Sequence, residues 1–337
     1  MPGEEWPSGP RNAITDVPGI RVGHFTDRKG GTGCTVVLAE TCTGAAVDVR
    51  GGAPGTRETD VLNPANVVRK CHAVVFSGGS AFGLASAHGV VRWCAEHGIG
   101  FPTKVRDVPI VSAAVLFDLA VGNPLAYPDE AAGYAAAARA KRGAVAEGNV
   151  GAGTGATVAK LLGGAGRAIK GGLGTASVAG PRGLIVGALA VSNSLGSIFD
   201  PATGACIAGP RAEGGGFVSL PDAMGQRTAE METMLENTTL ICVATNARLG
   251  SHELQRLAIQ AHDGFARVVA PAHTLADGDV AFALAMGQVE ATPDDVLALG
   301  LLVSHAVEQA LIHGVRLAKT AYGMPAAAEW PAGGAAH

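Results

Sequence analysis

Asn237-Thr238-Thr239-Leu240-Ile241-Cys242-Val243-Ala244-Thr245 reads as a buried strand, because β-branched and apolar residues dominate it and no Gly or Pro interrupts it. It follows directly on residues 211–236, RAEGGGFVSLPDAMGQRTAEMETMLE, which carry Gly, Pro, Met and mixed charge without a firm period. This junction predicts a mobile stretch running into a rigid element, with Thr238 at the boundary. A threonine hydroxyl is a weak nucleophile until a base takes its proton. The residue's own α-amine, with a reference pKa of about 7.7–8.0, would be such a base once freed. Backbone cleavage between Asn237 and Thr238 would free it, and the mobile stretch would let the new C-terminus swing aside. Asp277-Gly278-Asp279, Lys160 and Asn193 are the polar groups that read together with Thr238. One glycine between the two acids places both on the same side of an extended chain.

Outward from this strand, apolar Gly-punctuated runs alternate with amphipathic stretches. Ala73 to Phe76, Leu184 to Val191 and Val280 to Met286 read as strands. Ser80 is placed to N-cap a helix ending near Glu96, with Gly98 at C′. A second, Ala-rich helix starts at Tyr127-Pro128-Asp129-Glu130 and runs to about Lys141. A third covers Ser251 to Arg267, with Leu254, Leu257, Ala258, Ala261 and Phe265 on one face. Thr292-Pro293-Asp294-Asp295 supplies an N-cap, a Pro at N1 and two first-turn acids to a fourth, ending near Ala318. Strands alternating with helices predict an α/β or layered αββα architecture. No repeat period and no clean linker divides the 337 residues, so residues 1–337 are expected to form one domain.

Composition narrows the function. The chain has 25 basic and 29 acidic residues, a net charge of −4, which gives no basic face for nucleic acid. Mean hydropathy of +0.26 and 16% charged residues exclude a disordered chain. The longest apolar runs, such as Val296 to Val303, fall short of the roughly 18 residues of a membrane span. The N-terminal residues MPGEEWPSGPRNAIT lack a basic start and an apolar core, so no secretory signal is expected. The six cysteines form no C-x-x-C pair and read as small buried hydrophobes in a reducing cytoplasm.

Four motifs invite chemistry and fit it poorly. Gly151-Ala152-Gly153-Thr154-Gly155-Ala156 suggests a phosphate-binding turn, but the spacing is neither that of a dinucleotide fold nor that of a P-loop. Ser80 in Gly78-Gly79-Ser80-Ala81-Phe82-Gly83 misses the G-x-S-x-G elbow by one residue. His252-Glu253 opens H-E-x-x-H, but Arg256 stands in the last position. His262 and His273 with Asp277 and Asp279 match no standard metal spacing, so neither metal nor cofactor is expected.

A set of ordered blocks then carries a resemblance over nearly the whole chain. They are Asn12 to His24 (NAITDVPGIRVGH), Val47 to Asp60 (VDVRGGAPGTRETD), Ser77 to Gly83, Gly148 to Ala156 and Ser192-Asn193. Asn237-Thr238-Thr239, Ala261 to Gly264, His273-Thr274 and Asp277-Gly278-Asp279 complete the set. The sequence resembles the DmpA/BapA family of β-aminopeptidases and L-aminopeptidase/D-esterases. In its Asn-Thr and Asp-Gly-Asp motifs it is nearest to the nylon-oligomer endo-hydrolase branch. The resemblance implies an αββα sandwich of the type shared with ornithine acetyltransferase. It implies a precursor that cuts itself between Asn237 and Thr238 into chains 1–237 and 238–337, about 24 and 10 kDa.

By the same resemblance Thr238 is the nucleophile and Asn193 stabilises the oxyanion. Lys160, on a helix after the Gly-rich turn, stabilises charge or holds the acids. Asp277 and Asp279 orient the nucleophile and its ammonium form. Phe117 stands where relatives carry a Tyr beside the substrate, and Phe cannot donate a hydrogen bond. The implied function is a self-cleaving amide hydrolase acting on short peptides, β-peptides, small amides or esters, assembled as a homo-oligomer. An endo-acting hydrolase of linear oligoamides, an acyl transferase and a non-catalytic nucleotide-binding scaffold stand as alternatives.

Overall fold

The computed structural model describes residues 6–163, 166–227 and 237–330. The first half of the chain supplies β1 (Arg21–Asp27), β2 (Thr32–Leu38), β3 (Gly44–Val49), β4 (Thr56–Arg57), β5 (Ala73–Ser77), helix α1 (Ser86–Glu96), β6 (Val111–Val115) and α2 (Glu130–Ala138). The short β7 (Thr157–Val158) and β8 (Ile169–Lys170) follow, then β9 (Gly172–Ala179), β10 (Ile185–Asn193), β11 (Ser197–Phe199), β12 (Cys206–Ala208) and α3 (Leu220–Gln226). The last part holds β13 (Thr238–Arg248), α4 (Ser251–Val268), β14 (Val269–Ala270), β15 (Val280–Glu290) and α5 (Pro293–Arg316).

Two five-stranded sheets dominate, in the orders β1-β2-β5-β6-β4 and β3-β15-β13-β10-β9. Their inner strands β2, β5, β10 and β13 are buried on both faces almost throughout, as strands covered on both sides are. Val37, Val74 and Phe76 of the first sheet share a core with Leu189, Leu240, Cys242 and Phe282 of the second. The opposite face of the first sheet, with Val36, Val75 and Ala113, packs on Val90 and Trp93 of α1 and Ala136 of α2. The opposite face of the second, with Ala188, Ile241, Val243 and Ala283, packs on Leu257 of α4 and Leu302 of α5. The layers therefore run helix, sheet, sheet, helix: the αββα sandwich.

Most elements lie where the sequence puts them. Thr292 caps α5, its side chain accepting from the Asp295 N–H while the Asp295 carboxylate accepts from the Thr292 N–H. Asp129 caps α2. Gly98 follows α1 in a left-handed conformation (φ +66°). Ser80 departs from expectation. It has φ +51° and makes no capping bond, and residues 80–85 form a 3-10 turn before α1 begins at Ser86. The cause is Asp118, whose carboxylate takes the Gly79 N–H at 2.6 Å and bends the chain there.

α5 also differs from the run-length expectation, since it is long and apolar enough by length and composition to cross a membrane. Leu299, Leu302, Val303, Ala306 and Leu311 instead fill the outer core, which makes it a core helix. Five cysteines are buried, Cys206 is exposed, and all six are free. Of the stretch expected to be mobile, residues 228–236 lie outside the described residues. Its described part includes α3, capped by Ser219.

Candidate active site

Strand register brings the site together. β13 lies antiparallel to β10, with Thr238 opposite Asn193. It lies parallel to β15, with Leu240 opposite Val280, so the Asp277-Gly278-Asp279 turn falls beside Asn237. Three loops thus meet at one end of the second sheet. By period-two alternation Thr238 and Asn193 share the inter-sheet face with Leu240 and Val191, whereas Thr239 and Asp279 share the helix-covered face with Ile241 and Ala281.

Thr238 is 5% exposed in the uncut chain. Its hydroxyl donates to the carbonyl of Asn237 at 2.5 Å, and the Gly278 N–H donates to the same oxygen at 2.8 Å. The hydroxyl therefore sits against the peptide that it would attack, and a backbone donor already faces the oxygen that would gain charge. Gly278 is required there, because a Cβ would stand 2.6 Å from the Ala53 carbonyl oxygen and 2.9 Å from Thr238 Oγ1. If the chain is cut at Asn237–Thr238, as proposed below, Gly278→Ala is expected to slow that cut by about a hundredfold or more, followed as mass conversion over time.

Asn193 is fully buried and its amide orientation is fixed by its neighbours. Oδ1 accepts from the Thr157 N–H at 2.9 Å and from Lys160 Nζ at 3.2 Å. Nδ2 is thereby the donor end, and it donates to the Phe117 carbonyl at 3.3 Å. Phe117 thus enters the site through its backbone, and its half-buried ring supplies no donor. Lys160 also donates to the Asn193 carbonyl at 3.0 Å. It does not lie on a helix, contrary to the expectation. The Gly-rich turn leads through a 3-10 turn (Gly151–Gly153) into β7, and Ala159, at φ +60°, turns Lys160 inward. The backbone bonds from Ala159 and Lys160 to Gly196 and Leu195 hold that loop against the end of β10.

The two acids are tied elsewhere than to the Thr238 hydroxyl. Asp277 accepts from the N–H and hydroxyl of Thr274 at 3.0 and 2.5 Å, and from Leu195 N at 3.3 Å. Burial and the neighbouring charge of Asp279 raise its pKa above the usual carboxylate range. Asp279 accepts from the Thr239 N–H at 2.7 Å and from His273. It therefore holds the residue after Thr238, on the opposite face of the strand.

The Gly-rich turn is packed backbone. Its N–H groups at 151, 152, 153, 154 and 156 bond Thr26, Thr35, Val150, Gly151 and Gly153 within the protein, which leaves no phosphate cradle at those positions. The glycines meet close neighbours: a Cβ on Gly155 would be 2.4 Å from the Gly31 carbonyl oxygen. Among the described residues, no group of three or more His, Cys, Asp or Glu is arranged to hold a metal.

The sequence reading missed Gly278, Thr157, Thr274 and Lys170. The first two act through backbone N–H groups, which leave no residue-type signature. Lys170 had a weak one, a cation between the apolar pair Ala168-Ile169 and Gly171-Gly172. Its side chain is entirely buried, and Nζ donates to the carbonyls of Ala156, Gly171 and Gly153 at 2.6, 2.8 and 3.1 Å, fastening the turn that delivers Thr157 to Asn193. Burial lowers its pKa to about 7, opposed by the charge of Asp118. The folded value lies below the free value of 10.5, so the ammonium costs stability below about pH 7 and that cost fades as pH rises toward 10.5. Lys170→Met should therefore flatten the pH dependence of denaturant-measured stability between about pH 7 and 10, by on the order of 3 kcal/mol.

With this geometry in hand, comparison with known proteins is direct. The sequence model for peptidase family S58 matches residues 12–327. An uncharacterized aminopeptidase of Mycobacterium tuberculosis is 42% identical over 345 residues, covering 93% of this chain and 96% of the relative. A 6-aminohexanoate-oligomer endohydrolase of Kocuria sp. is 29% identical over 321 residues, covering 89% of this chain and 85% of the relative. Among solved structures, the L-aminopeptidase D-Ala-esterase/amidase of Ochrobactrum anthropi, described as a variant of the Ntn hydrolase fold, superposes with a TM-score of 0.73 at 22% identity. That match covers 96% of this chain and 90% of the other. A Burkholderia sp. β-aminopeptidase gives 0.69 at 24% identity, covering 94% and 89%. The αββα sandwich is thus the fold of that hydrolase group, and the chain belongs to peptidase family S58, hydrolases of peptide-type amide bonds.

Proposed function

We propose that this chain is a self-cleaving amide hydrolase with an N-terminal threonine nucleophile. The observation that carries the reading is the contact between the Thr238 hydroxyl and the Asn237 carbonyl, with the Gly278 N–H on the same oxygen. Attack of Oγ on that carbonyl carbon would move the acyl group of Asn237 onto the threonine oxygen. Hydrolysis of the ester would then release chain 1–237 and leave Thr238 with a free α-amine. In the uncut chain this nitrogen is an amide, so it serves as base for substrate turnover and not for the first cut.

In turnover, Thr238 Oγ attacks a substrate carbonyl while the α-amine takes and returns the proton. The Asn193 Nδ2 donor faces the inter-sheet side with Thr238 and stabilises the oxyanion. Lys160 holds Asn193 by two bonds and adds positive charge beside the developing anion. Asp277 and Asp279 hold the loop and the first residues of β13, and they attract the ammonium form of Thr238 once it is free. No resident cofactor or metal is invoked.

The substrates proposed are short peptides, β-peptides and small amides or esters, cut as an aminopeptidase or amidase. The aminopeptidase relative supports this. The 6-aminohexanoate-oligomer relative favours a second reading, endo-cleavage of linear oligoamides. Release of free amino acid from aminoacyl p-nitroanilides supports the first, whereas internal cuts in N-blocked oligomers support the second. We further propose a homo-oligomer of cut protomers, and a cytoplasmic setting that suits six unpaired thiols.

A further inference from the structure

Asp279 has a second partner that the proposed chemistry does not use. His273 donates from its backbone N–H at 3.2 Å and approaches through Nδ1 at 2.9 Å, both to Asp279 Oδ2. The other carboxylate oxygen, Oδ1, takes the Thr239 N–H. His273 adopts φ +54°, a left-handed conformation that costs a non-glycine residue of order 1–3 kcal/mol and persists where the surroundings enforce it.

We infer that His273 is a positioning residue for the nucleophile, acting through Asp279. This inference rests on the self-cleaving hydrolase reading above. A carboxylate only accepts, so Nδ1 carries the imidazole proton. Nε2 is then left buried without a partner among the described residues, a cost accepted in order to aim Nδ1 at Asp279. The ring is wedged against His262 (centroids 4.7 Å, edge-on) and Phe265 (4.9 Å) of α4. His262 is held in turn by the Asp48 carbonyl of β3 at 3.1 Å. Burial keeps the His262 pKa well below the usual imidazole range, so its ring does not compete as a cation for Asp279. α4 thereby fixes the ring, the ring fixes the carboxylate, and the carboxylate fixes Thr239 by its backbone. A threonine nucleophile at the first residue of a cut strand has no preceding chain to hold it, so its placement depends on the next residue.

The groups facing Asp279 are His273 and Asp277 from its own loop, and His262 from α4. Behind them lie Asp48 of β3 and Arg50, whose guanidinium binds Asp48 and whose N–H bonds the Asp279 carbonyl. Loss of the His273 side chain removes one of the hydrogen bonds that aim the Asp279 carboxylate at the Thr239 N–H.

The test measures kcat and KM of the purified, cut protein on an aminoacyl p-nitroanilide, for wild type, His273→Ala and His273→Asn. Asn offers an amide N–H close to the position of Nδ1 and tolerates the left-handed conformation. In His273→Ala, kcat is expected to fall about ten- to hundredfold with KM within about twofold. His273→Asn is expected to restore kcat to within about threefold of wild type. Equal loss of kcat in both variants would overturn the inference in favour of simple packing. Wild-type behaviour in both variants would overturn it as well. Failure of the hydrolase reading would show separately, in a wild-type chain that neither cuts nor turns over substrate.

Discussion

Thr238→Ala is expected to accumulate as one full-length chain with no measurable turnover, and Thr238→Ser to yield two chains. The expectation follows from what each side chain leaves at the junction. Alanine removes the hydroxyl that touches the Asn237 carbonyl at 2.5 Å, so nothing remains to accept the acyl group. The Gly278 N–H still binds the carbonyl oxygen, but a polarised peptide without a nucleophile stays intact at neutral pH. The fold is not at risk from the change, because the ladders of β13 to β10 and β15 use backbone atoms. Serine keeps the oxygen and loses one methyl group, at a cost of about 1 kcal/mol in packing. Two chains from the Ala variant, seen in intact-mass spectra, would remove Thr238 from the chemistry.

Asn193→Asp is expected to lower kcat/KM by about 10²–10³-fold while leaving the protein folded. The structure makes this a clean substitution. A carboxylate oxygen can keep the bonds that Oδ1 now accepts from Thr157 and Lys160, and the ammonium of Lys160 offsets its charge. The other oxygen replaces the Nδ2 donor with an acceptor. It then faces the Phe117 carbonyl and any developing oxyanion with the wrong sign. Thermal denaturation and steady-state kinetics on the same preparation separate the two effects. Retention of kcat/KM within about threefold would remove Asn193 from the site.

Much of the fold was legible because local signals and global packing agree. The caps at Asp129 and Thr292, the Gly at 98 and the β-branched run after Thr238 each dictate backbone conformation within a few residues. Ser80 and Lys160 were misplaced for one shared reason. Each sits where a distant group overrides local preference: Asp118 pulls the Gly79 N–H, and the end of β10 captures the Ala159-Lys160 backbone. Such long-range bonds leave no trace in nearby sequence.

The candidate site divides along the same line. Thr238, Asn193 and the Asp-Gly-Asp turn could be named from residue type, and strand register then explains why they meet. The contacts through which Asp277 and Asp279 would act were not legible in residue type. The pleat turns Asp279 away from the hydroxyl and onto the Thr239 backbone. The donors at Gly278 and Thr157 are main-chain groups that any residue except Pro could provide. Gly278 is marked by the space denied to a Cβ, which becomes visible once Ala53 is seen above it.

The central claim is that the chain cuts itself before Thr238, and intact-mass analysis of purified wild-type protein with N-terminal sequencing tests it most directly. The account predicts two chains of about 24 and 10 kDa, the smaller beginning Thr-Thr-Leu-Ile-Cys-Val. A single chain of 33.7 kDa that stays intact over days across a range of pH would contradict it.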